Sequence, residues 1–235
     1  MEIRARLEAI RDRMEKACNR AGRDPAGVRL VAVSKTHAVE EIREAVAAGV
    51  TDLGENRVQE AESKHDAISG SPRWHLVGHL QANKARKAAQ IFDVIHSLDS
   101  IELGRRLDRC AQEFGKVQSV LIQVDLASEE TKFGLPEREL ATGLEELQGC
   151  SHLRLEGLML LPPYLPDAEA VRPFFRRLRT LSEEARRRGS VLGAELSMGM
   201  SHDFEIAIEE GATWVRLGTA LFGERPARVA AAERA

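Results

Sequence analysis

The chain has 235 residues, 43% of them hydrophobic and 30% charged, which is enough apolar material for a packed core and excludes disorder as the main description. Its 34 basic and 37 acidic side chains leave a net charge of -3, without the positive excess that marks a nucleic-acid binder. No stretch approaches the ~18 apolar residues of a membrane span, and the odd, widely separated Cys18, Cys110 and Cys150 fit neither a disulfide framework nor zinc-site spacing.

The chain opens on MEIRARLEAIRDRMEKACNRAG, in which Ile3, Leu7, Ile10 and Met14 share one helical face. This is an amphipathic helix rather than a signal peptide, so the expected compartment is the cytoplasm. From there, short β-branched or apolar runs alternate with helical patterns. Strands are expected at 28–33, 51–53, 74–77, 94–96, 119–124, 154–159, 193–196 and 213–217. Runs such as VRLVAV and VLIQV are apolar without alternation, as parallel strands buried on both faces require. Helices are expected at 39–48, 57–68, 83–90, 101–114, 137–147, 168–187 and 204–210, with Gly49, Gly115, Gly149, Gly189 and Gly211 as stops. The Arg186-Arg187-Arg188 run ends a helical pattern, where cations complement the helix dipole.

Eight strands with intervening helices and one further helix at the front predict an α/β (β/α)8 TIM barrel in preference to an open doubly wound sheet. One domain is expected: residues 1–27 as helix and lead-in, 28–223 as barrel, and 224–235 as a frayed helical tail. The Pro-rich stretch LLPPYLP (160–166) is a loop after the sixth strand.

In such a barrel the working surface is the C-terminal end of the strands, and the polar residues collect there. Ser34, Lys35, Thr36 and His37 follow the first strand, and Glu55 and Asn56 the second. His79 follows the third and Asp99 the fourth, with Asp125 and then Lys132 after the fifth. Lys35 leaves an apolar strand at the barrel rim, where desolvation disfavours the ammonium form and frees the amine for a Schiff base. The plainer alternative is a rim lysine paired with Glu55 or solvated. SMGMS (197–201) and LGTALFG (217–223) are small-residue turns after the last two strands, suited to an anion through free N–H groups and the hydroxyls of Ser197, Ser201 and Thr219. Read blandly, they are capping turns.

A lysine on one side and an anion cradle on the other describe an aldehyde-and-phosphate ligand such as pyridoxal 5′-phosphate (PLP). Arg216, at the end of the eighth strand, is the candidate partner of its pyridine nitrogen. A guanidinium there cannot give up its proton, so it leaves that nitrogen unprotonated and weakens the electron sink.

The segments LVAVSKTH (30–37), DLGENRVQE (52–60), WHLVGHLQANK (74–84), IHSLDS (95–100), LIQVDLASEETKFG (121–134), RPFFRRLR (172–179), ELSMGMSHDFEIAIEEG (195–211) and VRLGTALFG (215–223) resemble the YggS/PROSC family of pyridoxal phosphate homeostasis proteins. The resemblance implies a barrel similar to the N-terminal domain of bacterial alanine racemase, binding PLP as an internal aldimine on Lys35. It implies that Arg216 faces the pyridine nitrogen and that Ser201, Gly218 and Thr219 hold the phosphate, with backbone contacts from Met200 and Leu217. Asn56 lies near the ring and His79 in the pocket wall. The family is associated with intracellular PLP balance and with no reaction of its own. Two positions depart from its pattern: His37 stands where many relatives have a second lysine, and His202 where they commonly have Asp. Lys132 matches a family lysine linked to PLP handling, with a plain loop lysine as the other reading.

Three functions follow from this reading. The preferred one is a PLP carrier without turnover, monomeric, whose partners are PLP and PLP-dependent apoenzymes. The second is a small PLP-dependent racemase. Two-base racemisation needs a proton acceptor on each face of the cofactor; Lys35 supplies one, the single tyrosine, Tyr164, is the only candidate for the other, and no second domain is expected in 235 residues. The third is a phosphosugar enzyme with Lys35 as Schiff base and Glu55 or Asp125 as acid–base group. His65, His75 and His152 show no metal-site spacing; His75 reads as a hydrogen-bonded core residue, Trp74 and Trp214 as packing, and Glu129-Glu130 as a solvated loop.

Overall fold

The computed structural model describes residues 2–127 and 133–224. Glu129, Glu130, Lys132 and the tail from Arg225 onward lie outside the described residues. In chain order the elements are α1 (Glu2–Arg20), β1 (Arg29–Val33), α2 (Val39–Ala47), β2 (Asp52–Glu55), α3 (Val58–His65), β3 (Arg73–Leu76), α4 (Ala85–Ile91), β4 (Val94–Leu98), α5 (Ile101–Glu113) and β5 (Gln118–Asp125). They continue with β6 (Leu135–Pro136), α6 (Leu140–Leu147), β7 (Leu153–Met159), α7 (Arg172–Arg187), β8 (Glu195–Ser197), α8 (Phe204–Glu209), β9 (Trp214–Leu217) and α9 (Thr219–Phe222).

Every strand pairing is parallel, and the circuit β1–β2–β3–β4–β5–β7–β8–β9 returns to β1, which closes an eight-stranded (β/α)8 barrel. β6 lies outside the circuit and pairs only with the end of β5, at Val124↔Leu135 and Asp125↔Pro136. Period-two alternation sorts the side chains. On β1, Val31 and Val33 join Val77, Val94, Leu121, Met159 and Trp214 in one cluster, while Leu30 and Ala32 pack with the helical layer. α1 buries Ile3, Leu7, Ile10 and Met14, as its spacing predicts, with Ala17 and Cys18 added, against α2, α8 and α9. Cys18, Cys110 and Cys150 are buried free thiols. No helix among the described residues is long and apolar enough to cross a membrane.

The departures from expectation are local. The helices expected at 83–90, 137–147 and 168–187 each begin as a single 3-10 turn, at Ala82–Lys84, Glu137–Glu139 and Ala168–Val171. At the second of these, Pro136 immediately precedes the turn with φ -54° and ψ 140°, outside helical backbone. α9 is a helix that the turn-like LGTALFG does not announce. Gly49, Gly115, Gly189 and Gly211 end their helices with φ between 63° and 107°, but Gly149 does not take that conformation. α4 ends on a charge instead: Lys116 Nζ donates to the carbonyls of Ala89 (2.8 Å) and Phe92 (3.1 Å), satisfying groups that a helix terminus leaves open.

The β7–β8 seam is the tightest in the barrel wall. A Cβ on Gly157 would stand 1.8 Å from the Glu195 carbonyl oxygen, and one on Gly193 2.3 Å from that of Glu156. Gly157→Ala therefore forces the strands apart and is expected to cost at least about 1–3 kcal/mol, the range for overpacking. Gly27→Ala, where a Cβ meets nothing within 4 Å, should leave stability nearly unchanged. Chemical denaturation midpoints of the two variants check this, and equal midpoints would contradict the tight seam.

Candidate functional site

Because all eight barrel strands run parallel, their C-terminal ends share one rim, and the residues that follow them meet there. Lys35, half-buried, sits in the turn after β1, and Asn56, also half-buried, directly follows β2. Met200 and Ser201 follow β8, Arg216 lies within β9, and Gly218 and Thr219 come just after it. Specific contacts knit these ends together. Ser201 Oγ accepts from the Ala220 N–H at 3.2 Å, which joins the loops after β8 and β9. The Arg216 N–H donates to the Gly199 carbonyl at 3.0 Å, and a Cβ on Gly218 would meet the Val33 carbonyl at 3.2 Å. The end of β9 therefore lies against the strand that carries Lys35.

The turn bearing Lys35 is strained and clamped. Thr36 has φ +67°, a left-handed conformation that is costly for a β-branched residue and persists only where its surroundings enforce it. Its N–H donates to Glu60 Oε1. Lys64, 7% exposed, directs its Nζ at 2.8 Å to each of the Ser34 carbonyl, Glu55 Oε1 and Glu60 Oε1, so its three protons are used. Ser34 Oγ adds a 2.7 Å bond to Glu55 Oε1. Burial pushes the Glu55 carboxyl up, against the pull of the Lys64 ammonium. The carboxylate considered as a partner for Lys35 thus serves Lys64 and Ser34. Thr36 Oγ1 and Glu55 Oε2 remain buried with no hydrogen-bond partner among the described residues.

On the facing side, the backbone N–H groups of Ser201, His202, Gly218 and Thr219 have no protein acceptor among the described residues, which leaves them available to an anion. The Met200 N–H is already committed, donating to Asp203 Oδ1 at 2.6 Å. Burial pushes the Asp203 carboxyl up, against that hydrogen bond and the Arg216 charge. Gly199 makes the turn possible: its φ is +93°, and a Cβ there would stand 2.6 Å from the Ala207 methyl. Ser197 does not join this turn. It is the last residue of β8 and fully buried, and its Oγ accepts from Arg216 Nη1 at 2.7 Å, so its place as an anion donor is corrected: the strand runs one residue further than expected and points it inward.

Arg216 is 3% exposed. Nη1 is held by Ser197 and Nη2 by the Leu160 carbonyl at 2.8 Å. Burial pulls its pKa down to about 10, against the pull of Asp203, so it is a cation at neutral pH with donors to spare and no lone pair. Behind it stand residues that motif reading did not assign to the site: His96, Asp52 and, with its expected core role, His75. The signal was present as histidines within the apolar third and fourth strands, where a buried ring must find polar partners.

Two further pairs flank the rim. His79 Nδ1 lies 2.8 Å from Asp99 Oδ2 and its ring stacks on Phe133 at 3.5 Å between centroids. Tyr164 is 78% exposed and lies against His202 at 5.4 Å. His37 is buried, stacked on Phe222 at 4.8 Å. A cavity of about 980 Å³ runs between α6 and α7 and shares only Asp125 with the strand-end polar set. Among the described residues no group of three or more His, Cys, Asp and Glu could hold a metal ion.

Removing the clamp lysine leaves a carboxylate with no exposed surface uncompensated. Lys64→Met is expected to cost about 3–5 kcal/mol at pH 7. The loss should shrink as pH falls, because a carboxyl whose folded-state pKa is raised destabilises the fold only while it is ionised. Adding Glu55→Gln should restore part of the stability at pH 7. Denaturation of the single and double variants across pH tests the pair, and a pH-independent loss would mean that Glu55 carries no charge there.

Residues 5–226 match the family model described as alanine racemase, N-terminal domain. The chain is 45% identical over 221 residues to the pyridoxal phosphate homeostasis protein of Aquifex aeolicus (strain VF5), covering 94% of this chain and 97% of that one. Its structure is similar to that of PipY from Synechococcus elongatus PCC7942 with PLP bound, with a TM-score of 0.85 at 41% identity, covering 94% of this chain and 100% of that one. A likeness to the alanine racemase of Clostridium difficile 630, with a TM-score of 0.74 at 17% identity over 96% of this chain and 60% of that one, is one of fold. The chain belongs to the family of pyridoxal phosphate homeostasis proteins, whose barrel is that of the alanine racemase N-terminal domain.

Proposed function

We propose that this chain binds PLP at the barrel mouth and serves PLP homeostasis by holding and releasing it, without catalytic turnover. The observation that carries the reading is the meeting, at one rim, of the Lys35 turn, the buried Arg216 guanidinium and the open N–H groups of the Ser201 and Gly218 turns. The PLP-bound structure of PipY, at 41% identity, supports it. The unpartnered Thr36 Oγ1 beside Lys35 is the kind of buried polar atom that a ligand satisfies.

Bound PLP supplies an aldehyde carbon open to attack by an amine, a phosphate and an aromatic nitrogen. Lys35 is the covalent anchor, held at the rim by the strained turn. Ser201, Gly218 and Thr219 bind the phosphate through N–H groups and hydroxyls, Met200 shapes that turn through its bond to Asp203, and Asn56 lies beside the ring. Arg216 donates to the ring nitrogen and, having no proton to exchange at neutral pH, keeps it unprotonated. That favours holding over carbanion chemistry. The racemase reading needs a second proton acceptor, and Tyr164, 78% exposed on a loop, is not held as one. Residues 28–223 with α1 act as one binding unit, a monomer working in the cytoplasm, with PLP-dependent apoenzymes as recipients.

Lys35→Ala should abolish borohydride-fixed PLP while the thermal transition stays within a few degrees of the native one; pyridoxyl mass mapped to another lysine of the native chain would overturn the assignment. Ser201→Ala combined with Thr219→Ala removes two hydroxyls, each worth about 1.5–3 kcal/mol when bonded to a charged group. PLP affinity should fall by more than about tenfold while pyridoxal, which lacks the phosphate, loses little. Equal losses for both ligands would place the phosphate elsewhere.

A further inference from the structure

Five side chains cross the barrel interior in one hydrogen-bonded line. Asp52 Oδ1 lies 2.9 Å from His75 Nε2, His75 Nδ1 2.9 Å from His96 Nε2, His96 Nδ1 2.7 Å from Ser197 Oγ, and Ser197 Oγ 2.7 Å from Arg216 Nη1. The line starts at the first residue of β2, passes through β3 and β4, crosses to the end of β8 and finishes in β9. Asp52, His75, His96, Ser197 and Arg216 are all buried.

The direction of every proton in this line is fixed by its ends. Burial works against the Asp52 charge, but hydrogen bonds from His75 and Thr51 outweigh it and keep the carboxyl below its ordinary range. A carboxylate only accepts, so His75 Nε2 carries a proton. Burial keeps His75 neutral against the pull of Asp52, and burial with repulsion from the Arg216 cation keeps His96 neutral. His75 Nδ1 is therefore bare and accepts from His96 Nε2–H, and His96 Nδ1 is bare and accepts from the Ser197 hydroxyl. The serine in turn accepts from Arg216, which can only donate. The opposite polarity would set the bare Nε2 of His75 against a carboxylate at 2.9 Å. Trp214 packs against both rings, at 4.6 Å from His75 and 5.2 Å from His96.

We propose that this line is a one-way relay through which Asp52, at the N-terminal face of the barrel, fixes the orientation of the Arg216 guanidinium at the opposite mouth. Asp52, His75, His96 and Ser197 are positioning residues: they set which Arg216 donors remain for a ligand without touching that ligand. The relay rests on the PLP reading only for the use made of Arg216; it is itself a property of the unloaded chain.

Nitrogen-15 spectra of the histidine side chains in the unloaded native protein read the relay directly. Both His75 and His96 should be protonated at Nε2 and bare at Nδ1 near neutral pH, and an Nδ1 proton on either ring overturns the proposal. In Asp52→Leu the fixed tautomer should be lost at both rings and the Arg216 side-chain N–H signals should broaden or shift. In the PLP-loaded variant the visible band should move and PLP should dissociate faster by on the order of tenfold, the scale on which buried supporting bonds act. Asp52→Asn, which can still present an oxygen to His75, should rescue these signals. Unchanged His96 and Arg216 signals in Asp52→Leu would overturn the relay; if that variant does not fold, the native tautomers decide alone. A native chain with the expected tautomers but no borohydride-sensitive PLP band would sink the cofactor reading and leave the relay standing.

Discussion

A guanidinium buried inside a β-barrel is the constraint on which the rest of the site depends. Moving a charge out of water costs several kcal/mol unless hydrogen bonds replace the lost hydration, and Arg216 is 3% exposed. Its partners must therefore come from the interior, where a barrel of this kind ordinarily packs branched aliphatic side chains. One partner is a backbone carbonyl, Leu160; the other is a serine that needs an acceptor for its own proton. That requirement passes from His96 to His75 and ends only at the carboxylate of Asp52. The polar line from Asp52 to Ser197 thus ends on one arginine, and Trp214 packs against both of its imidazoles.

The second constraint is the turn after β1. A β-branched residue at φ +67° stores strain of order 1–3 kcal/mol, which the surroundings must overcome. Here they do so with a buried lysine whose three protons reach a carbonyl and two carboxylates. Such a cluster is a costly way to gain stability, since apolar packing of the same volume would often do better. What it supplies is definition, because the backbone that aims Lys35 has little freedom to relax. The same economy holds at the facing turns, where Gly199 admits a backbone path that any side chain would block.

Much of the barrel could be read in advance because its signals are local. Apolar runs such as VRLVAV need burial on both faces, α1 displays its stripe at helical spacing, and parallel strands oblige their successors to share a rim. That logic, together with the family motifs, places Lys35, Arg216, Ser201, Gly218 and Thr219 at the rim, where the structure has them. The role of Lys64 was hidden for a different reason. It lies in the last turn of α3, where a lysine is ordinarily solvated and complements the helix dipole, and only tertiary packing brings it beneath the β1 turn. The relay was hidden likewise, because Asp52, His75, His96 and Ser197 belong to four strands and only closure of the barrel makes them neighbours. Ser197 was misplaced by one residue of strand length, which in a period-two element turns a side chain from loop to interior.

The two halves of the rim are built differently, one from buried and the other from solvent-facing groups. Lys35 and Arg216 stand on buried, hydrogen-bonded supports, so their positions are set by the chain itself. The anion side is assembled from open backbone N–H groups, an exposed Thr219 and the half-buried Ser201 and Gly218, near a loop whose Tyr164 is largely exposed. Preorganised contacts lower the entropy cost of binding, whereas solvent-facing ones admit water and competing groups. In the proposed binding mode, a ligand gripped at its ring and aldehyde but reachable at its phosphate can be drawn away from that end. In that proposed mode the donor-only Arg216 holds a ring without drawing electrons through it, which accords with storage of a reactive group over use of it.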